Sequence, residues 1–239
     1  MVTRLQGAIL AAGRGERLRK GVDDLPKPLV SIGGTPLIVR QAQALMSANV
    51  EGIVAVVNSE TAAAMKKISL EMPPNVSVVV RDTASSMETL FAIGEHLQAG
   101  HFLMTTVDTI MPTAEFSRFV NSALRMLDSH AEGIDGVIGV VKWRGDKKPL
   151  FAKVSPYGII TGLGDSETPL VTAGVYLLST RIFEYRELAR RNGLEAMRRF
   201  LALLIDKGMK LGAVEIRSSI DIDEPEDLDA AEAVIGESK

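Results

Sequence analysis

Cysteine is absent from this 239-residue chain. Its absence excludes disulfide staples, thiolate metal centres and cysteine nucleophiles, and it fits a reducing compartment. Neither sign of charge is in large excess: 27 basic residues face 30 acidic ones, a net charge of −3. No global field therefore recruits nucleic acid or an anionic membrane. Apolar runs long enough to span a bilayer are missing, as are the basic leader and apolar core of a secretory signal at the N-terminus. Internal repeats and low-complexity segments are missing too. The expectation from these absences is a soluble, cytoplasmic protein that engages neither nucleic acid nor membrane. Oligomeric state stays open.

Apolar residues make up 46% of the chain, enough at this length for one large α/β domain with a full core. Buried strands are expected over 8–12, 52–57, 76–80 and 101–106. Helices are expected over 35–47, 59–72 and 85–98, the first with Thr35 as its cap and Pro36 in its first turn. Strand alternating with helix at this spacing requires crossover connections, hence a mostly parallel sheet covered on both faces. Farther along, 113–129 is amphipathic, with Phe116, Phe119, Val120, Ala123, Leu124 and Leu127 on one face. More strands are expected over 136–141, 151–154, 158–161, 171–178 and 210–216, with helices over 180–190 and 194–206 and a last one opened by Pro225. The fold class is α/β: a single-domain, three-layer sandwich around a mostly parallel mixed sheet.

Basic character is local. The first strand ends in Gly13-Arg14-Gly15-Glu16-Arg17, and Arg19, Lys20 and Lys27 follow. Glycines there let consecutive backbone N–H groups turn inward around an anion, and Arg17 adds a fork suited to two phosphate oxygens. Alone, a Gly-x-Gly is more often a tight turn between a strand and a solvated, charged helix. Leu18 stands where a dinucleotide fingerprint needs its third glycine, and the Gly-Lys-Ser/Thr of a P-loop is missing. Pro26-Lys27-Pro28 presents an ammonium from a stiffened tether. Asp108 stands just past the 101–106 strand, at the sheet edge where ligands bind, although an aspartate before Pro112 also suits a turn. Asp221 and Asp223 alternate onto one side if their segment is extended. Gly174 inside a strand marks either the close approach of a ligand or backbone, or a bulge. Ser85, Ser86 and Thr89 offer hydroxyls to a base or to a helix N-terminus. Lys147 and Lys148, in a polar loop, read first as solvated charges.

Taken together, LAAGRGERL, PKPL and GGTPLI, in this order over about thirty residues, resemble the signature of the nucleotidyltransferase superfamily that makes nucleotide sugars and related activated alcohols. The members most similar in motif are sugar-1-phosphate, inositol-1-phosphate and phosphocholine nucleotidylyltransferases, on a Rossmann-like (GT-A-type) fold shared with MobA-like enzymes. The resemblance implies that Leu10, Ala11, Ala12, Gly13, Arg14, Gly15 and Arg17 hold the nucleotide and its phosphates, that Lys27 contacts phosphate at the reacting centre, and that the turn at Ser85 and Ser86 reads the base. It further implies Mg²⁺ on Asp108 and Asp221, with Asp223 as a further ligand or water partner. Thr172 and Gly174, in a strand resembling the family's Asn/Thr-x-Gly-x-Tyr, would line the acceptor pocket. The nucleotide half would span about 1–112 and the acceptor half about 113–239. Arg17, Lys27 and Asp108 form the implied catalytic set for transfer from a nucleoside triphosphate to a phosphorylated small molecule, releasing pyrophosphate. Two departures stand out: Val107 precedes the acid where a glycine is usual, and 164–169 lacks a lysine usual before the acceptor strand. The absence of a Gly-Gly or Gly-Thr turn near Ser85 favours CTP or UTP. A regulatory module without turnover and a molybdopterin-type guanylyltransferase are the alternatives.

Overall fold

The computed structural model describes residues 5–19, 25–129, 133–145 and 149–236. Lys20, Lys147 and Lys148, and the side chain of Arg19, lie outside the described residues. The chain opens with β1 (Gln6–Ala11), α1 (Glu16–Arg19), a 3₁₀ turn at Lys27–Leu29, β2 (Ser31–Ile32), β3 (Thr35–Pro36), α2 (Leu37–Ser47), β4 (Ile53–Val57), α3 (Ser59–Lys67), β5 (Val76–Val80), α4 (Ser86–Gly94), β6 (His101–Thr106) and β7 (Thr109–Ile110). It continues through α5 (Thr113–Ser129), β8 (Gly136–Lys142), β9 (Phe151–Val154), β10 (Ile160–Gly164), β11 (Leu170–Ser179), α6 (Arg186–Arg191), α7 (Met197–Asp206), β12 (Leu211–Glu215), β13 (Ile220–Asp221) and α8 (Asp227–Gly236).

Nine strands form one mixed sheet. Its main path is β12–β8–β11–β6–β1–β4–β5, with β9 and β10 joined at the start of β11 through Val171 and Phe151. β6, β1, β4 and β5 are mutually parallel, as crossover units require, and β11 runs against β6 and β8. The reversal brings the start of β11 beside the end of β6, so its first residues reach the edge where β1 ends. Apolar side chains from both sheet faces are covered. One core holds Leu37, Leu45, Phe116 and Phe119; the other holds Phe91, Phe102, Phe200 and Leu204. Removing a buried ring such as Phe119 costs about 3–5 kcal/mol. Among the described residues no helix is long and apolar enough to cross a membrane.

Several boundaries differ from expectation for local reasons. Thr35 does not cap α2: Gly33 and Gly34, at φ 56° and 76°, turn a hairpin that pairs Thr35–Pro36 with Ser31–Ile32, and the helix begins at Leu37 with no side-chain cap. Helix α3 stops at Lys67 rather than residue 72, because Ser69 takes φ 51° and the N–H of Leu70 donates back to the Met65 carbonyl. Residues 180–190 divide into a 3₁₀ turn and α6, and α7 starts at Met197, not 194.

The first turn of α5 anchors the C-terminal leg. Glu115 binds Arg118 and accepts the Arg217 N–H at 2.8 Å, while Arg118 donates to the Glu215 carbonyl at 2.8 Å. These bonds fix the chain between β12 and β13, hence the approach to Asp221. Hydrogen bonds from Arg118 outweigh desolvation and hold the Glu115 carboxyl below its ordinary value. Its stabilisation is therefore present above pH 4.5 and is lost as pH falls through the lower folded value. Glu115→Gln is expected to cost about 1–2 kcal/mol at neutral pH. In urea melts, the gap from wild type should close on acidification.

Candidate active site

The site grows from the carboxyl end of β1. After Ala11 the chain must turn above the sheet, and Gly15, at φ 61°, makes that turn close to Lys27: a Cβ on Gly15 would lie 2.5 Å from the Lys27 Cβ. The Ala12 carbonyl accepts from Asn58 at 3.1 Å, and Asn58 also caps α3, so the loop is tied to the next crossover unit. At Gly13 a Cβ would meet nothing within 4 Å; that space faces the cleft.

Lys27 is only 7% exposed. Its ammonium donates to Asp108 at 2.6 Å and to Asp223 at 3.1 Å, and Arg17 donates to Asp223 at 2.8 Å. Burial pulls the Lys27 pKa down, but Asp108 and then Asp223, by charge and hydrogen bonding, more than offset it and leave it raised. Asp223 mirrors this: desolvation pushes it up, and Lys27 and Arg17 bring it below its ordinary value.

Asp108 lies in the two-residue turn between β6 and β7. The Gln41 side-chain amide donates to the Thr109 carbonyl, and the Val107 N–H donates to the Leu10 carbonyl at 3.2 Å, so α2 and β1 both hold this turn. Val107, 6% exposed, is part of the core, so the departure from glycine keeps the acid at the sheet edge. β13 pairs with β7, setting Asp221 opposite Thr109, and the Ile222 N–H donates to the Asp108 carbonyl at 3.0 Å. Segments more than a hundred residues apart thus bring Asp108 and Asp221 together.

Thr109, 2% exposed, donates to Asp221 at 2.8 Å; since its single proton is used there, it accepts from Thr106 at 2.8 Å. Gly174 makes room for this pair. It has φ 67° at an irregularity in the β11–β8 pairing, and a Cβ would lie 1.7 Å from the Thr109 hydroxyl. The bulge reading of Gly174 holds, and the close neighbour on this side is the Thr109 side chain, which was not foreseen. Asp221 is exposed on the cleft. Desolvation by the surrounding protein first, and Asp108 second, raise its pKa despite the Thr109 bond.

These groups face one cavity of about 940 Å³. Leu10, Gly13, Arg14, Gly15, Arg17, Lys27, Ser86, Asp108, Thr172, Gly174, Asp221 and Asp223 all line it. Ala11, Ala12 and Ser85 do not. The Ser85 hydroxyl accepts the Glu88 N–H as the cap of α4, and the Ser86 hydroxyl accepts the Met197 N–H at 3.0 Å. Both serine hydroxyls therefore serve helix termini. Tyr176, the tyrosine of the Asn/Thr-x-Gly-x-Tyr strand, lines the cavity as well, whereas sequence reasoning missed Arg198 and Arg144 on the walls and Thr109 beneath the floor; an arginine on a helix or loop, or a threonine in a two-residue strand, carries no local signal of facing a cleft. Asp227, in the first turn of α8, accepts the Asp223 and Glu224 N–H groups at 2.8 and 2.7 Å and shapes the loop holding Asp223.

The donor set suits magnesium in part. Asp108 and Asp221 are hard oxygen donors whose mutual repulsion a dication would offset, and two carboxylates with substrate phosphates are a usual magnesium complement. Asp223 is already held by Lys27 and Arg17, and the described residues contain no group of three acids or histidines arranged around one point.

A cleft of this construction at the carboxyl edge of a Rossmann-like sheet marks the nucleotidyltransferase superfamily. Within it, the chain belongs to the MobA-like NTP transferase domain family, which matches residues 7–202. The UTP–glucose-1-phosphate uridylyltransferase AglF of Haloferax volcanii is 25% identical over 237 residues, covering 95% of each chain. A mannose-1-phosphate guanyltransferase of Schizosaccharomyces pombe is 26% identical over 202 residues, 75% of this chain; the match spans about half (51%) of that longer protein. Among solved structures, the inositol-1-phosphate CTP transferase from T. maritima superposes with a TM-score of 0.80 at 20% identity, covering 99% of this chain and 98% of that one. CTP:phosphocholine cytidylyltransferase from Streptococcus pneumoniae gives 0.75 at 18%, covering 97% and 99%. At these identities the structural likeness is one of fold.

Two outcomes follow from the floor of the cleft. Gly174→Ala should lose about 2–4 kcal/mol from overpacking and backbone strain, and Thr109→Ala in that background should restore part of it, seen as non-additive denaturant melts. Asp221→Asn keeps an acceptor for Thr109 and removes repulsion from Asp108. The ligand-free variant should melt above wild type; a lower melting temperature would show that the Asp221 charge stabilises the fold.

Proposed function

We propose that the protein is a magnesium-dependent nucleotidylyltransferase that moves NMP from a nucleoside triphosphate to the phosphate of a sugar, polyol or alcohol and releases pyrophosphate. One observation carries this reading: the glycine loop, Lys27, Arg17 and acids at 108, 221 and 223 face a single cleft. A phosphate oxygen is already an adequate nucleophile, so no triad or general base is required. It bonds to the α-phosphorus as the bridge to the β-phosphorus breaks; the electron pair leaves with pyrophosphate, and no proton has to move.

The chain's own groups act by position and charge. Backbone N–H groups around Gly13 and Gly15 cradle the triphosphate, and Lys27 and Arg17 meet charge that builds at the reacting phosphate. Asp223 orients those two cations. Asp108 and Asp221 would hold magnesium, which when bound supplies positive charge that offsets the repulsion between two anionic reactants. CTP or UTP is the favoured donor, supported by the lack of a Gly-Gly or Gly-Thr turn near Ser85 and by a relative, aligned over 95% of both chains, that is named for UTP. A regulatory module without turnover would use the same cleft.

Pyrophosphate release with the four common triphosphates, Mg²⁺, and glucose 1-phosphate, inositol 1-phosphate or phosphocholine tests the reading. Turnover is expected with a pyrimidine triphosphate, and Asp108→Asn and Lys27→Met should each lower kcat by about 10²–10³-fold. Full activity in Asp108→Asn would remove the metal role from that residue. Triphosphate binding without product from any acceptor would favour the regulatory module.

A further inference from the structure

The cleft cations differ in what they already hold. Lys27 and Arg17 are bound to Asp108 and Asp223, and Arg14 stands in solvent 4.0 Å from Glu16. Arg198, the second residue of α7, lines the cleft half-buried. Among the described residues no carboxylate ion pair reaches it, although its neighbour Arg199 is bound to Asp165 at 2.6 Å. Successive helix residues point about 100° apart, so the surface acid takes Arg199 and leaves Arg198 directed at the cavity. Residues 164–169 contribute no cation of their own.

Beside Arg198 is the phenol of Tyr176, 3% exposed and lining the same cavity. Burial first, then the charge of Asp221, raise its pKa, so it stays protonated; a hydrogen bond with Thr172 and the nearby Arg198 charge act in the opposite sense. Tyr176 is inert as a base and available as a hydroxyl. The wall thus offers a guanidinium fork and two hydroxyls, with no acid matched to the fork. Tyr176 and Thr172 belong to β11, which is separated from β1 by β6. Two strand spacings are about 10 Å, so an anion bound at this wall is distinct from one in the glycine loop and lies within reach of it.

We propose that Arg198, with the hydroxyls of Tyr176 and Thr172, is the clamp for the acceptor's phosphate. The inference rests on the transfer reading above. A terminal phosphate has three free oxygens: two meet the fork of Arg198, and the third is left toward the α-phosphorus. A phosphodiester has only two, so occupying the fork leaves none to attack.

Inorganic phosphate is the direct probe. It is titrated by calorimetry into the full chain saturated with Mg²⁺ and the triphosphate that binds tightest, so that the glycine loop is occupied. Wild type and Arg199→Met should bind phosphate alike, and Arg198→Met should bind it about 10- to 100-fold more weakly, the range for losing hydrogen bonds between charged groups. Arg198→Lys, which keeps the charge but not the fork, should fall between. In turnover assays with glucose 1-phosphate, inositol 1-phosphate or phosphocholine, Arg198→Met should raise KM for the acceptor and leave KM for the triphosphate within about twofold, with unchanged circular dichroism. Phosphate binding that is equal in wild type and Arg198→Met, or absent from wild type, overturns the clamp. If phosphate binding depends on Arg198 but no pyrophosphate forms with any acceptor, the clamp stands and the transfer reading falls. Should no triphosphate bind, the same variants are compared with phosphate alone, and a difference at Arg198 again upholds the clamp.

Discussion

A lysine ammonium almost sealed from water is tolerable only beside negative charge, because isolated buried ions cost several kcal/mol. Lys27 meets that condition with Asp108 and Asp223, one from the middle of the chain and one from near its end. The rest of the site depends on this triad of charges. Pro26 and Pro28 stiffen the lysine's backbone, Gly15 folds the phosphate loop onto its aliphatic stem, and the two acids draw their segments to one sheet edge. Removing the lysine would leave Asp108 facing Asp221 without compensation and Asp223 with Arg17 alone. The same contact therefore closes the tertiary structure and fixes the site's charge.

The acids are placed by backbone as much as by side chains. β7 and β13 are each two residues long, too short to be stable alone. Gln41 holds the first from α2, and Glu115 with Arg118 holds the approach to the second from α5. Between them the Thr106–Thr109–Asp221 hydrogen bonds fill the space that Gly174 leaves. A carboxylate that is costly in the ligand-free protein is thereby kept in one position, as expected where binding energy must come from a pre-organised site.

Much of this was legible in the sequence. Buried strands show as apolar runs, and the glycine loop, Lys27, Asp108, Thr172 and Asp221 all line the cleft because strand ends in an open parallel sheet share one edge. The hairpin at Gly33-Gly34 was hidden behind a Thr-Pro pair that looks like a helix start, and the end of α3 at Lys67 was hidden because the left-handed residue beyond it, Ser69, is not glycine. Ser85 and Ser86 were ambiguous by nature, since the hydroxyl that caps a helix is the hydroxyl that would bind a base. Arg198 was invisible. A helix arginine faces solvent or a cleft according to how the helix rolls against its neighbours, and here the neighbour is Ser86, which fixes the first N–H of α7 from more than a hundred residues away.

The cleft mixes acids with cations, although both expected substrates are anions. A wholly basic pocket would bind triphosphate and acceptor phosphate strongly but hold both in whatever arrangement minimised their repulsion. Pairing Lys27 and Arg17 with Asp223 lowers the field they present to ground-state substrate. Charge that appears only as the phosphoryl group transfers can still draw them away from the acid, and interactions that strengthen in the transition state are the ones that raise rate. Arg198 has no such acid partner among the described residues, which suits a group whose task is to hold a phosphate throughout. The two kinds of cation thus divide the work, one recognising the ground state and the other tempered by neighbouring carboxylates for the reacting one.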